Sequence, residues 1–246
     1  MLTAAAVCPH PPLLIPAAIG AAASDPPPAL RAVRDACDVA VHALAAAEPD
    51  LIAVIGGGAA DREYDATAAG SLSEFGVAVT VGEGEPVLPL SLTIGRWLLG
   101  RAGIGAGAAD EPGQRRQLLL QAVDQRASAD DCLKLGAAIA ERAPRVALLA
   151  MGDASARRAR DIEGAPDPLA QEYDDEVAEA LAAADARWLG RLDPALDGEL
   201  MVAGRAAWQV LAGAAVGTRM CGRLRCMASP YGVTYLVASW EEPRAD

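Results

Sequence analysis

Short continuous apolar runs occupy residues 2–7, 51–55 and 146–151 of the chain. Runs of this length predict strands that are buried on both faces, as in a parallel sheet. Two further strands are expected over residues 77–81 and 117–123. Residues 220–227 and 233–239 alternate around Ser229-Pro230-Tyr231-Gly232, which predicts an antiparallel hairpin at the end of the chain.

Helices are predicted where apolar residues recur three or four positions apart. The first such stripe lies between residues 25 and 47 and begins after Asp25 and three prolines, which a first helical turn tolerates. Its members are Leu30, Val33, Cys37, Val41 and Leu44. Further helices are expected over residues 90–99, 129–143, 168–184 and 194–215.

The alternation of strands and helices predicts one α/β domain over residues 1–246, with a central, mostly parallel sheet flanked by helices and closed by the C-terminal hairpin. Residues 67–73 and 103–113 are the expected flexible loops. The alanine-faced helix over 202–215 could pack against a second copy, so a homo-oligomer is one expectation.

Charge, the length of apolar segments and the cysteines limit which partners and which cellular location the chain is expected to have. The formal charge of −12 and the pI of about 4.6 argue against a nucleic-acid partner. No segment reaches the roughly 18 apolar residues of a membrane span, and the first residues carry no basic region typical of a secretory signal. The five cysteines form no Cys-x-x-Cys motif, which favours a reduced, cytoplasmic protein.

Candidate chemistry lies after the predicted strands, because ligands of open α/β sheets bind beyond the carboxyl ends of the strands. His10, Asp61 and Asp153 all occupy such positions, and Pro9 and Pro11 would hold the backbone of His10 rigid. Each has a structural alternative. His10 could bond a backbone carbonyl, Asp61 could be a solvated loop charge, and Asp153 could cap the next helix.

Ser155 follows Asp153 in the same loop and is a candidate nucleophile. A serine nucleophile needs a base, and His10 is the candidate that the sequence offers. Gly56-Gly57-Gly58, with Arg157 and Arg158, could instead bind a small anion, although the P-loop lysine is lacking. His10 and His42 are the two histidines, so a mechanism that needs three imidazoles is excluded. His42 is expected on the first long helix, away from the strand ends.

The segment Val7-Cys8-Pro9-His10-Pro11-Pro12-Leu13-Leu14-Ile15-Pro16 resembles the opening of the class III extradiol ring-cleavage dioxygenase (LigB-like) superfamily, which also contains Memo-like proteins. Looser matches follow in the expected order along the chain. They are the strand from Asp50 to Gly56, Gly152-Asp153-Ala154-Ser155, Asp167-Pro168 with Tyr173-Asp174, Gly204-Arg205 with Trp208, and Ser229-Pro230-Tyr231-Gly232. The chain is similar to a divergent member of an actinobacterial type.

The resemblance implies an iron(II) site made by two histidines and one carboxylate, with a further histidine as acid–base group. His10 matches the first ligand. The second ligand position falls at Gly58-Ala59 and the acid–base position at Ser155-Ala156, where methyl groups neither bind metal nor move protons. The resemblance therefore implies the family fold with a degenerate metal site that holds no cofactor. Such a protein is not expected to cleave rings and would act through binding, with a small molecule as a possible partner, or in an unknown role.

Two alternatives remain at the level of the sequence. In the first, His10 with Asp61 and Asp153 holds a divalent metal, Fe(II), Mn or Mg, in an active enzyme. In the second, the chain is a small-anion-binding module that uses Gly56–Gly58, Arg157 and Arg158.

Overall fold

The computed structural model describes residues 1–104, 116–158 and 167–243, apart from the side chains of residues 21–23. Its strands are β1 (Leu2–Cys8), β2 (Leu51–Gly58), β3 (Arg62–Tyr64), β4 (Ala68–Ser71), β5 (Thr80–Val81), β6 (Glu83–Pro86), β7 (Gln117–Asp124), β8 (Val146–Met151), β9 (Cys221–Ala228) and β10 (Tyr235–Glu241). Its α-helices are α1 (Pro28–Ala46), α2 (Leu90–Arg101), α3 (Ala129–Ala140), α4 (Pro168–Ala183), α5 (Ala186–Leu189), α6 (Ala195–Leu200) and α7 (Arg205–Ala214). Short 3-10 turns span Pro12–Leu14, Pro16–Ala23 and Ser73–Phe75.

In the described residues, seven strands form one mixed sheet in the order β3-β7-β2-β8-β1-β10-β9. β7, β2, β8 and β1 are parallel to one another, whereas β3 and β10 are antiparallel to their neighbours and β9 is antiparallel to β10. The continuous apolar runs lie in the central strands because these strands are covered on both faces. The predicted fold class, a mixed α/β sheet flanked by helices with a C-terminal antiparallel hairpin, is confirmed.

Two apolar layers cover the sheet. α1 and α2 pack on one face, and α3, α4 and α7 pack on the other. β1 shows how the sequence supplies both layers: Val7 points to the layer of α7, and Cys8 points to the layer of α1. The stripe predicted on the first helix is buried in the α1 layer, which confirms that its spacing marks a packed helical face.

The predicted helix over 194–215 is wrong as a single element, because the chain turns between α6 and α7. Met201 adopts a left-handed conformation with φ 55°, and the N–H of Ala203 donates to the carbonyl of Asp153 at 3.1 Å. The turn brings Gly204 against Gly152, so closely that a Cβ atom on Gly152 would overlap the Gly204 backbone. A continuous helix could not make this approach to the loop after β8.

The region between β3 and α2 also differs from the prediction. The strand expected over 77–81 is confined to β5, and the loop expected over 67–73 contains β4, which pairs with β5 and β6. Ala69 and Leu72 are buried there and anchor this small sheet to the α2 layer. Of the loop expected over 103–113, residues 105–113 lie outside the described residues. No helix in the described part of the chain has the length and apolar character needed to cross a membrane.

Candidate functional site

The carboxyl ends of four parallel strands lie side by side along one edge of the sheet. β7, β2, β8 and β1 are neighbours in that order. β10 begins at the same edge because it is antiparallel to β1. We call the residues that follow these four strands, together with those that join β9 to β10, the carboxyl edge. Its polar side chains form the candidate site, since open α/β sheets bind ligands there.

His10 and Asp153 follow the neighbouring strands β1 and β8 and are brought together at the carboxyl edge. The backbone N–H of His10 donates to Oδ1 of Asp153 at 2.8 Å, and Nδ1 of His10 lies 3.8 Å from the same oxygen. His10 is only 8% exposed, and its Nδ1 has no hydrogen-bond partner among the described residues. A protonated imidazole would form an ion pair with Asp153, whereas a neutral one leaves Nδ1 available to another group.

Asp153 stabilises the loop after β1 and does not cap a helix in the described residues. In the described residues the next helix is α4, whose N-cap is Asp167. The Asp153 carboxylate instead accepts from the backbone of His10, and its charge adds to the effect of burial in raising the pKa of Tyr235. The side chains of His10 and Asp153 keep 10% and 15% of their surface exposed, so the pair is largely buried but reaches solvent.

Ser155 lies in a saturated hydrogen-bond cluster built around the carboxylate of Asp174 on α4. The backbone N–H and the hydroxyl of Ser155 donate to the two carboxylate oxygens at 2.9 and 2.8 Å, and the Thr234 hydroxyl donates at 2.5 Å. All three residues are fully buried. Burial raises the pKa of Asp174, while the hydrogen bonds from Thr234 and Ser155 oppose that shift.

The same cluster fastens the C-terminal hairpin to the loop after β8. The N–H of Thr234 donates to the carbonyl of Ser155 at 2.8 Å, and the N–H of Ala154 donates to the carbonyl of Thr234 at 2.9 Å. Ser229 closes the cluster with a hydroxyl contact of 2.8 Å to Thr234. The Ser155 hydroxyl therefore donates to Asp174 and not to an imidazole. Ser155 connects the loop after β8 with α4 and with the start of β10.

The two arginines of this loop have different surroundings. Arg158 forms an ion pair with Asp175 at 2.8 Å and lies 3.7 Å from the buried carboxylate of Asp174. Arg157 is half-buried, and its Nε is buried without a hydrogen-bond partner among the described residues. Nη1 of Arg158 also lacks a hydrogen-bond partner among the described residues, but it is ion-paired, whereas no ion pair of Arg157 is found among them. Arg160 lies outside the described residues.

Asp61 lies at a different part of the carboxyl edge. Its Oδ1 accepts the backbone N–H of Asp124 at 2.7 Å, which places Asp61 at the end of β7. β2 and β8 separate β7 from β1. Strands are spaced by about 4.8 Å, so the ends of β7 and β1 are roughly 14 Å apart. The fold brings His10 and Asp153 together and leaves Asp61 on the far side of two strands.

The donor set does not fit the two-histidine, one-carboxylate iron site that the family resemblance implies. His42 is exposed on α1, where its Nδ1 bonds the carbonyl of Asp38 at 2.6 Å. Ala59 and Ala156 stand in the loops after β2 and β8. Within the described ranges, no group of three or more His, Cys, Asp or Glu side chains is arranged to hold a metal ion.

The three glycines at the end of β2 have a packing reason. All three remain paired with β7. A Cβ atom on Gly56 would overlap the side chain of Ser91, whose hydroxyl donates to the carbonyl of Gly57 at 2.7 Å. Gly56 therefore admits the first turn of α2 close to β2, while a Cβ atom on Gly57 or Gly58 would overlap Gln125 or Ala122. The three glycines form the end of a strand and not a loop of the kind that cradles phosphate.

The residues that complete the polar clusters, Asp174 above all, have no role predicted from the sequence. A signal was present, because Asp174 precedes Val177, Ala178 and Leu181 by three, four and seven positions and so lies on the buried stripe of α4. A charged residue on such a stripe indicates a buried polar partner. Thr234 has no comparable signal, since its partners come from distant segments.

A second buried ion pair lies behind the loop after β8. Arg205, 1% exposed at the start of α7, donates through Nε to Asp197 at 2.6 Å and through its other nitrogens to the carbonyls of Gln125 and Ala127. Burial raises the pKa of Asp197, and the hydrogen bond and charge of Arg205 oppose the shift. Arg205 therefore connects α6 and α7 with the segment that follows β7 at the carboxyl edge.

No protein-family model matches the chain, and no curated protein matches it. Among solved structures, the chain is similar to the crystal structure of the uncharacterized protein JW3007 from Escherichia coli K12. The two are 13% identical with a TM-score of 0.52, over 97% of this chain and 99% of that chain. At this identity the likeness supports the fold alone and assigns no activity.

Proposed function

We propose that the chain is a divergent member of the class III extradiol dioxygenase (LigB-like) superfamily that binds a small molecule at the carboxyl edge and does not cleave aromatic rings. The observation that carries this proposal is the His10–Asp153 pair. It provides a buried imidazole nitrogen without a described partner, held beside a carboxylate at the place where α/β sheets bind ligands.

The donor groups of the pair do not suit ring cleavage. One imidazole and one carboxylate leave a two-histidine, one-carboxylate site incomplete, and the remaining histidine of the sequence lies on α1. Oδ1 of Asp153 is already engaged by the backbone of His10. The pair is suited instead to hydrogen bonding with a polar group of a ligand, because imidazole can donate or accept according to its tautomer.

Metal content and oxygen uptake test the proposal. The purified full chain is incubated anaerobically with Fe(II), and separately with Mn²⁺ and Mg²⁺, then desalted and analysed for metal. Oxygen consumption is recorded with a panel of catechols. We expect metal far below one ion per chain and no oxygen uptake.

The matched variants are His10→Ala and His42→Ala. One ion per chain that is lost in His10→Ala and kept in His42→Ala would overturn the proposal in favour of the metal-dependent enzyme that uses His10 with nearby carboxylates. Ring cleavage of any catechol by the unmodified chain would overturn it as well.

A second candidate function is favoured by Arg157. Its buried Nε without a described partner lies in the loop after β8 and could bind an oxyanion. Phosphate and small carboxylates are screened by the melting temperature of the chain, with Arg157→Gln compared against Arg187→Gln, an exposed arginine on α5. An anion-induced rise that disappears only in Arg157→Gln supports the anion-binding function. Equal rises in all three proteins contradict it.

A further inference from the structure

Tyr235, the first residue of β10, lies beside Asp153 at the carboxyl edge. The N–H of Ala154 donates to the carbonyl of Thr234 at 2.9 Å, so the segment after β8 runs alongside the start of β10. Backbones joined by such a bond lie about 5 Å apart, as in a sheet. Asp153 adjoins the donor of this bond and Tyr235 adjoins its acceptor, so the two residues are neighbours across it.

The side chains of these two residues lie on the same face of the sheet. Gly152 and Ala154, on either side of Asp153, both face the layer of α7. Successive residues of an extended segment alternate between faces, so Asp153 lies on the α1 face. Tyr235 is buried in the α1 layer, whereas Thr234 before it bonds α4 on the opposite face. Asp153 and Tyr235 are therefore cross-strand neighbours on the α1 face, where side chains interact.

His10 joins them from the end of β1, the strand between β8 and β10. Its backbone N–H donates to Oδ1 of Asp153 at 2.8 Å, and its Nδ1 lies 3.8 Å from the same oxygen. We call His10, Asp153 and Tyr235 the polar trio. His10 and Tyr235 are buried, and the side chain of Asp153 reaches solvent. A ligand that approaches Asp153 therefore meets all three residues.

Each member of the polar trio can accept a hydrogen bond. Within the described residues, Nδ1 of His10 is buried without a partner, and no hydrogen bond involves Oδ2 of Asp153 or the hydroxyl of Tyr235. Nδ1 accepts when a neutral imidazole carries its proton on Nε2, and a tyrosine hydroxyl accepts through its lone pairs. The trio thus offers three acceptors to one ligand group.

The charge of the polar trio favours a cation. With His10 neutral, the carboxylate of Asp153 gives the trio one negative charge. Tyr235 remains a neutral hydroxyl, because burial and then the charge of Asp153 raise its pKa well above the ordinary value. A cation beside Asp153 is attracted and an anion is repelled, and the largely buried position limits screening of both effects by salt.

We propose that Tyr235 is a third ligand-binding residue of the candidate site and that the polar trio binds the ammonium group of a small amine. The inference rests on the proposed binding of a small molecule at the carboxyl edge and names the class of that ligand. An ammonium group has three N–H donors, which match the three acceptors of the trio. Asp153 accepts the charge-assisted bond, and His10 and Tyr235 accept the other two. An alcohol offers one donor and no charge, and a carboxylate offers no donor.

The test varies the polar group of the ligand on a constant aromatic ring. Benzylamine, benzyl alcohol and benzoate are titrated into the full chain at neutral pH, where benzylamine is protonated. Dissociation constants are measured by nuclear magnetic resonance. We expect benzylamine to bind about tenfold more tightly than benzyl alcohol, as for a hydrogen bond to a charged group, and benzoate to bind most weakly. His10→Ala should weaken the binding of benzylamine, and His42→Ala should leave it unchanged.

Two conservative variants test the roles of the other two residues. Tyr235→Phe removes only the hydroxyl and should weaken benzylamine binding about two- to tenfold, as for the loss of one hydrogen bond. Tyr64→Phe is its matched control, because Tyr64 lies on β3 at the far end of the sheet. Asp153→Asn keeps an acceptor for the N–H of His10 but loses the charge. Benzylamine should then lose its advantage over benzyl alcohol, which a merely structural role of Asp153 would not cause.

The failure of this inference can be told apart from the failure of the proposed function. Benzoate binding more tightly than benzylamine, with both lost in His10→Ala, would overturn the amine and leave the small-molecule site in place. Equal benzylamine affinity in Tyr235→Phe and Tyr64→Phe, or no binding of any of the three compounds at millimolar concentration, would overturn the inference as well. A metal ion that depends on His10, or ring cleavage, would instead overturn the proposed function.

Discussion

Two polar clusters meet at the loop after β8, and they differ in how completely their atoms are hydrogen-bonded. The cluster of Ser155, Asp174 and Thr234 is closed, with donors on both carboxylate oxygens and every residue buried. The His10–Asp153 pair is open, with a buried nitrogen that has no described partner and a carboxylate that reaches solvent. Buried polar groups with complete hydrogen bonding fix a structure, whereas incomplete ones indicate a place for another group.

Two neighbouring residues of this loop have different roles. Ser155 and Asp153 stand two positions apart in one loop, and the sequence makes both candidate site residues. The carboxylate of Asp153 faces the carboxyl edge, while the hydroxyl of Ser155 is turned to Asp174. The first belongs to the open pair and the second to the closed cluster, so substitutions should affect ligand binding and stability differently.

The largest effect is expected from Asp174→Ala. This change leaves the N–H and hydroxyl of Ser155 and the hydroxyl of Thr234 without their acceptor in a buried place. Each unsatisfied buried donor costs about 1–3 kcal/mol, so a loss of about 3 kcal/mol or more is expected. Urea unfolding measures it.

Asp175→Ala is the matched control, because Asp175 is the next residue, has a half-exposed side chain and forms an ion pair with Arg158. Its effect should stay below about 1 kcal/mol, as for other exposed ion pairs. Equal losses in the two variants would mean that the cluster does not hold the loop.

A smaller effect is expected in the pH dependence of stability. The pKa of Asp174 is raised above its value in the unfolded chain, so the folded chain binds this proton more tightly. The stabilisation is fully present below the unfolded pKa and is lost as the pH rises through the folded pKa. Each tenfold difference in proton affinity corresponds to about 1.4 kcal/mol.

The variant Asp174→Asn isolates this contribution, because every other titrating group is common to both proteins. Relative to Asp174→Asn, the unmodified chain should lose stability as the pH is raised from about 4. Unfolding free energies at a series of pH values give the difference. A difference that grows in the unmodified chain's favour with rising pH would show that hydrogen bonding outweighs burial at Asp174.

The smallest stability effect is expected at the open pair. His10→Ala removes an imidazole whose Nδ1 makes no hydrogen bond to the described residues, and the backbone N–H that Asp153 accepts is retained. The expected loss is about 1–2 kcal/mol, because the truncation opens space around position 10 but leaves no buried hydrogen-bond partner unsatisfied. Urea unfolding of His10→Ala and His42→Ala checks it. A loss as large as that of Asp174→Ala would place His10 in the supporting structure instead of the open site.

The helices and strands of the core could be predicted from the spacing of apolar residues, because each pattern lies within one short segment of the chain. The stripe of α1 and the apolar runs of β2 and β8 could be assigned without knowledge of their neighbours. The split of the helix over 194–215 could not, since it depends on the contact between Gly204 and Gly152, which are 52 positions apart in the chain (204 − 152 = 52). Tertiary contact overrode the local helical pattern there.

The sequence predicted where the site residues lie on the sheet better than it predicted which residues they contact. The rule that loops follow the carboxyl ends of parallel strands placed His10 and Asp153 at one edge, and these two residues do meet. The strand order was not available from the sequence. Asp61 was therefore grouped with them, although β2 and β8 stand between. The partner of Ser155 likewise lies 19 positions further along the chain, on a helix.

The contact between Gly152 and Gly204 also limits which related sequences can share this arrangement. A side chain at either glycine meets the other's backbone or the ring of Trp208. The overlap at Gly152 is with backbone, so no change of another side chain relieves it, whereas the overlap at Gly204 is with the Trp208 side chain. Lineages that keep the turn between α6 and α7 should therefore retain Gly152, and should retain Gly204 where they keep Trp208, even where the polar residues of the edge diversify. Residues around His10 can then change in evolution, and with them the ligand that binds, while the fold that holds the site stays the same.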